Sequence, residues 1–417
     1  MQQMKAVVTR SLLVALLTGT LAGPTTAAAA SARVPARATQ QAAASVPKQG
    51  PLLAWGLNES GQLGTGDTTS HLTPIVVNRP FGLRASSARI GDFSVAVNSS
   101  GLVYAWGAGE QGELGNGAFT SHLRPVKVRL PRGVKVRATR VGFQFAVALT
   151  TTGKVLTWGR GDLGQLGNGH RVNRNAPVFV RLPRGVRATA VSAFVDGAIA
   201  LTSTGRVLAW GYNFSGQLGN GKKAGTDVPV YVKLPKGTKV TSIAAGSDQL
   251  FAITSAGGML AWGSDSNGQL GNGHTGGMSR VPVRVHLPRG VKVVSASAGL
   301  LHGLAQTTTG KVLAWGDNLQ GQLGDGTRKQ RNVPVWVHLP KIAHIVSIAA
   351  GRYHALALTR SGFLLGWGDD AFGQLGDGGF ADKLVPTRIF VPANRVLAIG
   401  AGPEAYDSMA IVDELVA

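Results

Sequence analysis

Cysteine is absent from the 417-residue chain. Its absence excludes disulfide bonds, a thiolate nucleophile, zinc sites with cysteine ligands and lipid attachment through cysteine. Acidic residues are scarce, with 20 Asp and Glu against 42 Lys and Arg, and the formal net charge is +22. Charged residues make up only 15% of the chain, but the 44% of hydrophobic residues exclude a disordered protein. Helical periodicity is also missing after the N-terminal segment.

The N-terminal segment has the pattern of an export signal. Lys5 and Arg10 precede an apolar run over residues 11–23, and small residues that offer Ala-x-Ala cleavage sites follow it. This pattern predicts a secretory signal peptide over residues 1–32. The alternative is a membrane anchor, but the run is shorter than the roughly 20 residues that span a bilayer. We therefore expect a secreted or envelope-associated protein with no membrane span after cleavage. The Ala-, Pro- and Gln-rich residues 33–50 are expected to form a flexible linker.

A repeat of constant period organises the rest of the chain. Trp-Gly pairs recur at intervals of 51 to 53 residues, at Trp55, Trp106, Trp158, Trp210, Trp262, Trp315 and Trp367. One unit contains three short apolar segments bounded by turn residues, Val346–Gly351, His354–Thr359 and Phe363–Gly368, and the preceding unit shows the fourth type, Pro334–Leu339. Four short strands per unit are typical of a β-propeller blade.

The two ends of the repeat region complement each other. It opens with segments of the third and fourth type, Leu52–Gly56 and Pro74–Asn78. It finishes with segments of the first and second type, Val396–Gly400 and about Asp407–Val412. Pairing them in one blade closes the ring and removes an open sheet edge. The sequence therefore predicts an all-β, seven-bladed propeller over residues 51–417.

The loop after each Trp-Gly pair carries the most specific motif. In one unit it reads Gly321-Gln322-Leu323-Gly324-Asp325-Gly326, and Ala-Gly-x-x-His occurs at Gly299–His302 and Gly351–His354. These motifs resemble the regulator of chromosome condensation repeat family, whose members form seven-bladed propellers. With the export signal, the chain is identified as similar to a secreted bacterial-type member.

The functions of this family differ widely. They include nucleotide exchange on a small nuclear GTPase with nucleosome docking, ultraviolet sensing through tryptophan clusters, and β-lactamase inhibition. The chain lacks an inserted wedge, the Gly-Trp-Arg-His-Thr motif of the photoreceptors and the shortened loops of the inhibitors. The resemblance therefore implies the fold and leaves the function open.

No residue pattern indicates catalysis. The repeated Trp residues are interpreted as packing between blades. The glycine loops look like phosphate-binding loops, but no helix or Lys-Ser/Thr follows them, so they are interpreted as structural turns. His302 and His354 occupy equivalent positions and would lie close together if they lined the channel, where a metal site or a catalytic dyad would need further ligands or a nucleophile. We expect structural histidines, no enzyme, no cofactor and no metal.

The charge pattern distinguishes the two sides of the disc. We call loop face the side that carries the connections from first to second and from third to fourth strands, for example residues 317–330. The turn face carries the other connections, for example residues 340–344. This arrangement places every acidic residue on the loop face except Asp413 and Glu414.

Basic residues recur in register on the turn face. The predicted set is Arg132, Lys135, Lys154, Arg184, Arg187, Arg206, Lys236, Lys239, Arg289, Lys292, Lys311 and Lys341. A ring of like charge indicates an anionic polymer or envelope surface as partner, bound with strong salt dependence. The alternative is a solvated surface that only maintains solubility.

The loop face carries the connections that vary most between repeats, which is where a rigid scaffold usually binds its partner. Fourth strands also place Phe179, Tyr231 and Trp336 on the outer rim, as interface anchors or as packing cover. We therefore predict a monomeric, non-catalytic scaffold that binds an extracellular or envelope protein through the loop face. Polyanion binding through the turn face is one alternative. A GTPase regulator of the guanine-nucleotide exchange type is a second, which the family resemblance implies.

Overall fold

The computed structural model describes residues 50–77, 85–89 and 92–416, with only the backbone for residues 85–89. The predicted signal peptide and all but the last residue of the predicted linker lie outside the described residues. The strands are β1 (Leu52–Gly56), β2 (His71–Val76), β3 (Ala85–Arg89), β4 (Phe93–Asn98), β5 (Val103–Gly107), β6 (His122–Lys127), β7 (Val136–Gly142), β8 (Phe145–Thr150), β9 (Val155–Gly159), β10 (Arg174–Phe179), β11 (Ala188–Phe194), β12 (Gly197–Thr202), β13 (Val207–Gly211), β14 (Thr226–Tyr231), β15 (Val240–Ala245), β16 (Gln249–Thr254), β17 (Met259–Ser264), β18 (Met278–Arg284), β19 (Val293–Ala298), β20 (His302–Thr307), β21 (Val312–Gly316), β22 (Arg331–Trp336), β23 (Ile345–Ala350), β24 (His354–Thr359), β25 (Leu364–Gly368), β26 (Lys383–Ile389), β27 (Val396–Gly400) and β28 (Asp407–Val412). No helix in this part of the chain is long and apolar enough to cross a membrane.

These strands form seven antiparallel sheets of four strands each. Six blades consist of consecutive strands, beginning with β3–β6 and ending with β23–β26. The seventh has the order β2-β1-β28-β27. Its central pairing joins Leu52 to Ile411 and Gly56 to Asp407. The predicted seven-bladed propeller, closed by strands from both ends of the repeat region, is confirmed.

The fourth strands begin earlier than the sequence pattern predicted. The segment predicted as Pro334–Leu339 is β22, Arg331–Trp336, and the segment predicted as Pro74–Asn78 is β2, His71–Val76. The apolar run suggested a start at Pro334, but polar residues before it already pair, with Arg331 opposite Gly316 across a bulge. A proline inside the strand is tolerated because each fourth strand is the outer edge of its sheet.

Each seam between blades is closed by the tryptophan of one blade. The seven Trp side chains of the Trp-Gly pairs are fully buried. Every indole Nε1 donates to the backbone carbonyl of the Gln or Glu in the preceding Gly-x-Leu-Gly loop, over 2.7–3.0 Å. The loop leucine packs in the same seam, as Leu323 does in one core cluster with Trp367. Gly324 must be glycine there, because its φ is +64° and an added Cβ would lie 2.8 Å from Trp367 Nε1.

The first strands surround a central channel. Adjacent first strands contact each other around the ring, and six of them line a cavity of about 130 Å³. At the loop face, backbone hydrogen bonds link consecutive connections between first and second strands, from Phe143 N to Val195 O and from Val195 N to Ser247 O. The same linkage continues from Ser247 N to Gly299 O and from Arg352 N to Ala405 O. The channel mouth is therefore held by a network of backbone bonds.

Candidate functional site

The turn face presents the repeated basic side chains to solvent. All twelve residues of the predicted basic set are exposed. They lie in the connections that the strand order places on this face. Among the residues that the structure describes, none of the twelve forms an ion pair; all six ion pairs join residues of the loop face. The turn face is thus a surface of cations without protein counter-ions.

On the rim beside this face, three of the predicted basic residues contact the three predicted rim aromatic residues. Arg206 lies over the ring of Tyr231 at 3.4 Å, Lys154 over Phe179 at 5.2 Å and Lys311 over Trp336 at 5.6 Å. These are cation–π contacts between the turn after the second strand and the end of the fourth strand. The aromatic rings therefore serve at least as supports for the basic side chains. Phe179 and Trp336 keep 41% and 40% of their surface exposed, which leaves ring area for a partner.

The loop face combines ion pairs with exposed apolar side chains. Arg331 binds Asp325 at 2.9 Å and Lys383 binds Asp377 at 2.8 Å, which fixes two of the long connections. Beside them, large apolar side chains project into solvent from five of these connections. They are Phe119, Val172, Phe214, Leu319 and Phe380, exposed by 49%, 51%, 69%, 65% and 63%.

Carboxylates surround the channel mouth on the loop face, at Asp92, Asp196, Asp248 and Glu404. Burial raises the pKa of each one. Glu404 accepts from Ser247 and from Arg352, whose Nη1 lies 2.5 Å away, and Asp248 accepts from Gln217 at 2.7 Å. No group of three or more His, Asp or Glu residues at the described positions has a metal-binding arrangement. The mouth is an internally bonded polar surface.

His302 and His354 do not line the channel. Both open second strands inside the blades and are fully buried. Burial lowers the pKa of each to about 3, so both are neutral at physiological pH. His354 Nε2 lies 2.8 Å from Ser408 Oγ, whereas the ring nitrogens of His302 have no partner among the described residues. Since both histidines, and Ser408 beside His354, are fully buried, they have no access to a substrate from solvent.

The constant repeat period carried a signal for the rim pairs that the sequence analysis missed. The cation and the aromatic residue are separated by 25 residues in each pair, as in Arg206 and Tyr231. The same spacing separates Phe363 and Arg388, where the aromatic residue comes first and the cation second. Arg388 lies 3.9 Å over the Phe363 ring. A comparison of repeats at this offset predicts the pairing.

Comparisons with known proteins agree with the geometry. Residues 49–97, 100–149 and 152–200 match the regulator of chromosome condensation (RCC1) repeat, and residues 198–410 match the RCC1-like domain. The chain belongs to the regulator of chromosome condensation repeat family. These matches cover all seven blades that the strand pairing defines.

Two relatives of this family show the range of its functions. The chain is 31% identical to the ultraviolet-B receptor UVR8 of Arabidopsis thaliana, over 80% of this chain and 76% of the receptor. It is 29% identical to the secretion-regulating guanine nucleotide exchange factor of Bos taurus, over 88% of this chain and 84% of that protein.

Solved structures agree on the fold. Human WBSCR16 has a TM-score of 0.78 at 22% identity, covering 88% of this chain and 100% of that one. Prp20p of Saccharomyces cerevisiae, studied for its binding to Gsp1p and histones, has a TM-score of 0.78 at 24% identity, covering 88% and 92% of the two chains. At these identities the likeness concerns the propeller fold.

Proposed function

We propose that this chain is a secreted, non-catalytic and monomeric scaffold that binds an extracellular or cell-envelope protein through the loop face. The observation that carries the proposal is the set of apolar side chains exposed from five loop-face connections, led by Phe214 and Leu319 at 69% and 65%. Exposed apolar groups on a rigid, ion-paired surface are typical of protein interfaces. The names of the relatives, an exchange factor and a receptor, agree with a binding or regulatory role.

The test is capture of a partner by the mature chain, beginning near Arg33, from envelope and culture fractions. The test variant carries Phe214→Ser and Leu319→Ser. The matched control carries Ile342→Ser and Phe390→Ser on the turn face, where the side chains are 97% and 74% exposed. We expect the captured protein to be lost with the loop-face variant and retained with the control. Equal capture by the two variants contradicts the assignment to the loop face.

A second candidate is polyanion binding through the turn face. The observation that favours it is the ring of twelve exposed cations, none of which has an ion-pair partner among the described residues. Such a surface binds phosphate polymers or acidic glycans by releasing their counter-ions, so affinity falls steeply with salt.

Retention on immobilised heparin and polyphosphate across a salt series tests the second candidate. The test variant has Arg132, Arg184, Lys236 and Arg289 changed to Glu. The control has Arg171, Lys222, Lys223 and Lys329 changed to Glu, since these exposed residues lie on the loop face and the net charge change is the same. We expect early elution of the test variant only. Equal elution of both variants would mean that net charge alone causes retention.

Guanine-nucleotide exchange is the third candidate, and it rests on the likeness to the Bos taurus exchange factor. Its test is release of labelled GDP from purified small GTPases. Release no faster than the intrinsic rate over a broad set of GTPases would argue against it.

A further inference from the structure

Among the residues whose side chains the structure describes, one charged side chain lines the cavity of the central channel, and the proposed functions do not use it. Arg140 lies in β7 and lines the channel cavity. Equivalent positions in the next four blades hold small residues, namely Ser192, Ala244, Ser297 and Ala349. Each of them pairs with the third residue of the second strand in its blade, as Arg140 pairs with Val147. Among the side chains that the structure describes, Arg140 is the one guanidinium that lines this cavity, beside small residues and the apolar Ile243, Ile348 and Ile399. β3 carries Arg89 at the equivalent register position.

Arg140 has no protein counter-ion. Its Nη1 donates a hydrogen bond to the backbone oxygen of Thr139, at 2.8 Å. All 20 acidic residues of the chain lie at described positions, and none forms an ion pair with it. Burial alone lowers the pKa of Arg140 to about 10, so the group stays charged at neutral pH. Arg140 is only partly exposed, and a largely desolvated charge is costly unless an opposite charge or hydrogen-bond partners compensate it.

The surroundings of Arg140 suit an oxyanion. A guanidinium has five N–H donors, so four remain after the bond to Thr139. Ser192 and Ser297 supply hydroxyl groups at the same level of the channel wall. Ser297 Oγ accepts from Ala350 N at 2.9 Å, which leaves its own hydrogen available to donate. The cavity of about 130 Å³ is large enough for an anion with several oxygens, because a single water occupies only ~30 Å³ in the liquid.

We propose that the central channel binds a small inorganic oxyanion, of phosphate or sulfate size, through the guanidinium of Arg140 and the hydroxyls of Ser192 and Ser297. The guanidinium offers a bidentate pair of donors to two oxygens. Ser192 lies in the blade next to that of Arg140 and Ser297 lies three blades away from it, so the bound anion links first strands across the channel. This site is independent of the turn face, whose cations are exposed on the surface of the disc.

Calorimetric titration with inorganic phosphate, at ionic strength held constant with chloride, tests the proposal. The wild-type chain is expected to bind one phosphate saturably and to show a rising unfolding midpoint. Arg140→Met, which keeps the length and removes the charge, is expected to bind at least about tenfold more weakly. Arg137→Ala is the matched control, because Arg137 lies on the same strand but is exposed. Sulfate should compete with phosphate.

Two results would overturn the proposal. The first is unchanged phosphate binding by Arg140→Met. The second is loss of the single site in the turn-face variant with Arg132, Arg184, Lys236 and Arg289 changed to Glu, which would assign the phosphate to the surface. Should Arg140→Met not fold, Arg140→Lys serves instead. It keeps the charge but loses the bidentate geometry, so weaker binding supports the site and equal binding contradicts it.

Discussion

The guanidinium carbon of Arg206 lies 3.4 Å from the ring centre of Tyr231, and the same kind of contact occurs in reverse between Phe363 and Arg388 at 3.9 Å. In one blade the cation comes from the turn and the ring from the edge strand, and in the other the positions are exchanged. Where the edge strand carries Lys127 or Arg284, the turn position holds Leu102 or Gly258. Six blades therefore keep one cation at this place on the rim by different residue choices.

The reversal predicts that the pair can be exchanged without loss of stability. Arg206→Ala and Tyr231→Ala should each destabilise the fold, with a coupling energy of roughly 0.5–1 kcal/mol for an exposed cation–π contact. The double exchange, Arg206→Tyr with Tyr231→Arg, should recover most of that coupling. Denaturant unfolding of the wild type, the two single alanine variants and the double alanine variant measures the coupling through a double-mutant cycle, and the double exchange is compared with them. A double exchange as unstable as the sum of the two alanine variants would contradict the prediction.

Gly324→Ala should destabilise the seam that Trp367 closes. The residue has a φ of +64°, and its new Cβ would lie 2.8 Å from the indole nitrogen that donates to Gln322. Left-handed backbone costs about 1–2 kcal/mol for a residue with a Cβ, and the contact with the indole adds to it. Gly290→Ala is the control, since its φ is +77° but nothing lies within 4 Å of the added Cβ. Equal loss of unfolding free energy in both variants would show that the seam contact is unimportant.

Asp370 is predicted to make stability pH-dependent. Burial raises its pKa to about 7, and its Oδ2 has no partner. The ordinary pKa is near 3.9. Between these values the folded chain holds a proton that the unfolded chain releases, so this group's contribution is present at acidic pH and lost as pH rises through about 7. Asp370→Asn should remove the effect and be more stable than wild type above neutral pH, by about 1–3 kcal/mol.

The adjacent blade supplies the reason and the control for that prediction. Asn318 stands at the equivalent position, and its Nδ2 donates to the carbonyls of Thr327 and Lys329 at 2.9 and 3.1 Å. Asn318→Asp should lose these bonds and acquire the pH dependence that Asp370 has. Unfolding free energies at acidic and alkaline pH measure both variants. A wild-type minus Asp370→Asn difference that stays constant across the pH range would exclude the proposed titration.

Trp367→Phe should loosen one seam. The substitution removes the hydrogen bond from the indole nitrogen to Gln322, and it leaves the buried carbonyl of that residue without its 2.9 Å donor. An unsatisfied buried acceptor costs about 1–3 kcal/mol, and the smaller ring adds a cavity. The expected measurement is a lower unfolding midpoint with unchanged far-ultraviolet circular dichroism. An unchanged midpoint would mean that the neighbouring loop closes around phenylalanine.

The propeller could be predicted from the sequence because each strand is marked by a short local pattern and the pattern recurs in every blade. Val-Leu-Ala-Trp-Gly at 312–316 shows one strand and its end, and the repeat shows it again in other blades. Edge strands were less predictable, because Arg331 and Asn332 look like loop residues until their pairing across the bulge is known. At a solvent-exposed edge, polar residues can belong to the strand, so local polarity is a poor guide to where the strand begins.

Side-chain relationships between distant segments were largely out of reach. Arg140 follows Thr139 in a stretch that reads as an ordinary alternating strand, and only the strand register shows that small residues occupy its level in the four following blades. The separation of acidic and basic residues between the two faces could be predicted, because it follows from the order of the strand connections alone. The partner of His354 and the lack of one for the His302 ring depended on side-chain positions that no repeat spacing specifies.

The hydrogen bond from Trp55 to the Gln374 carbonyl joins the first tryptophan of the chain to the last Gly-Gln-Leu-Gly loop. Open repeat arrays fray from terminal units, which therefore need special capping sequences. Here every unit has two neighbours of the same kind. Loss of one seam removes contacts from both blades beside it, and no end exists from which unfolding begins. Thermal unfolding is accordingly expected as a single cooperative transition, in contrast to the gradual melting of a linear array.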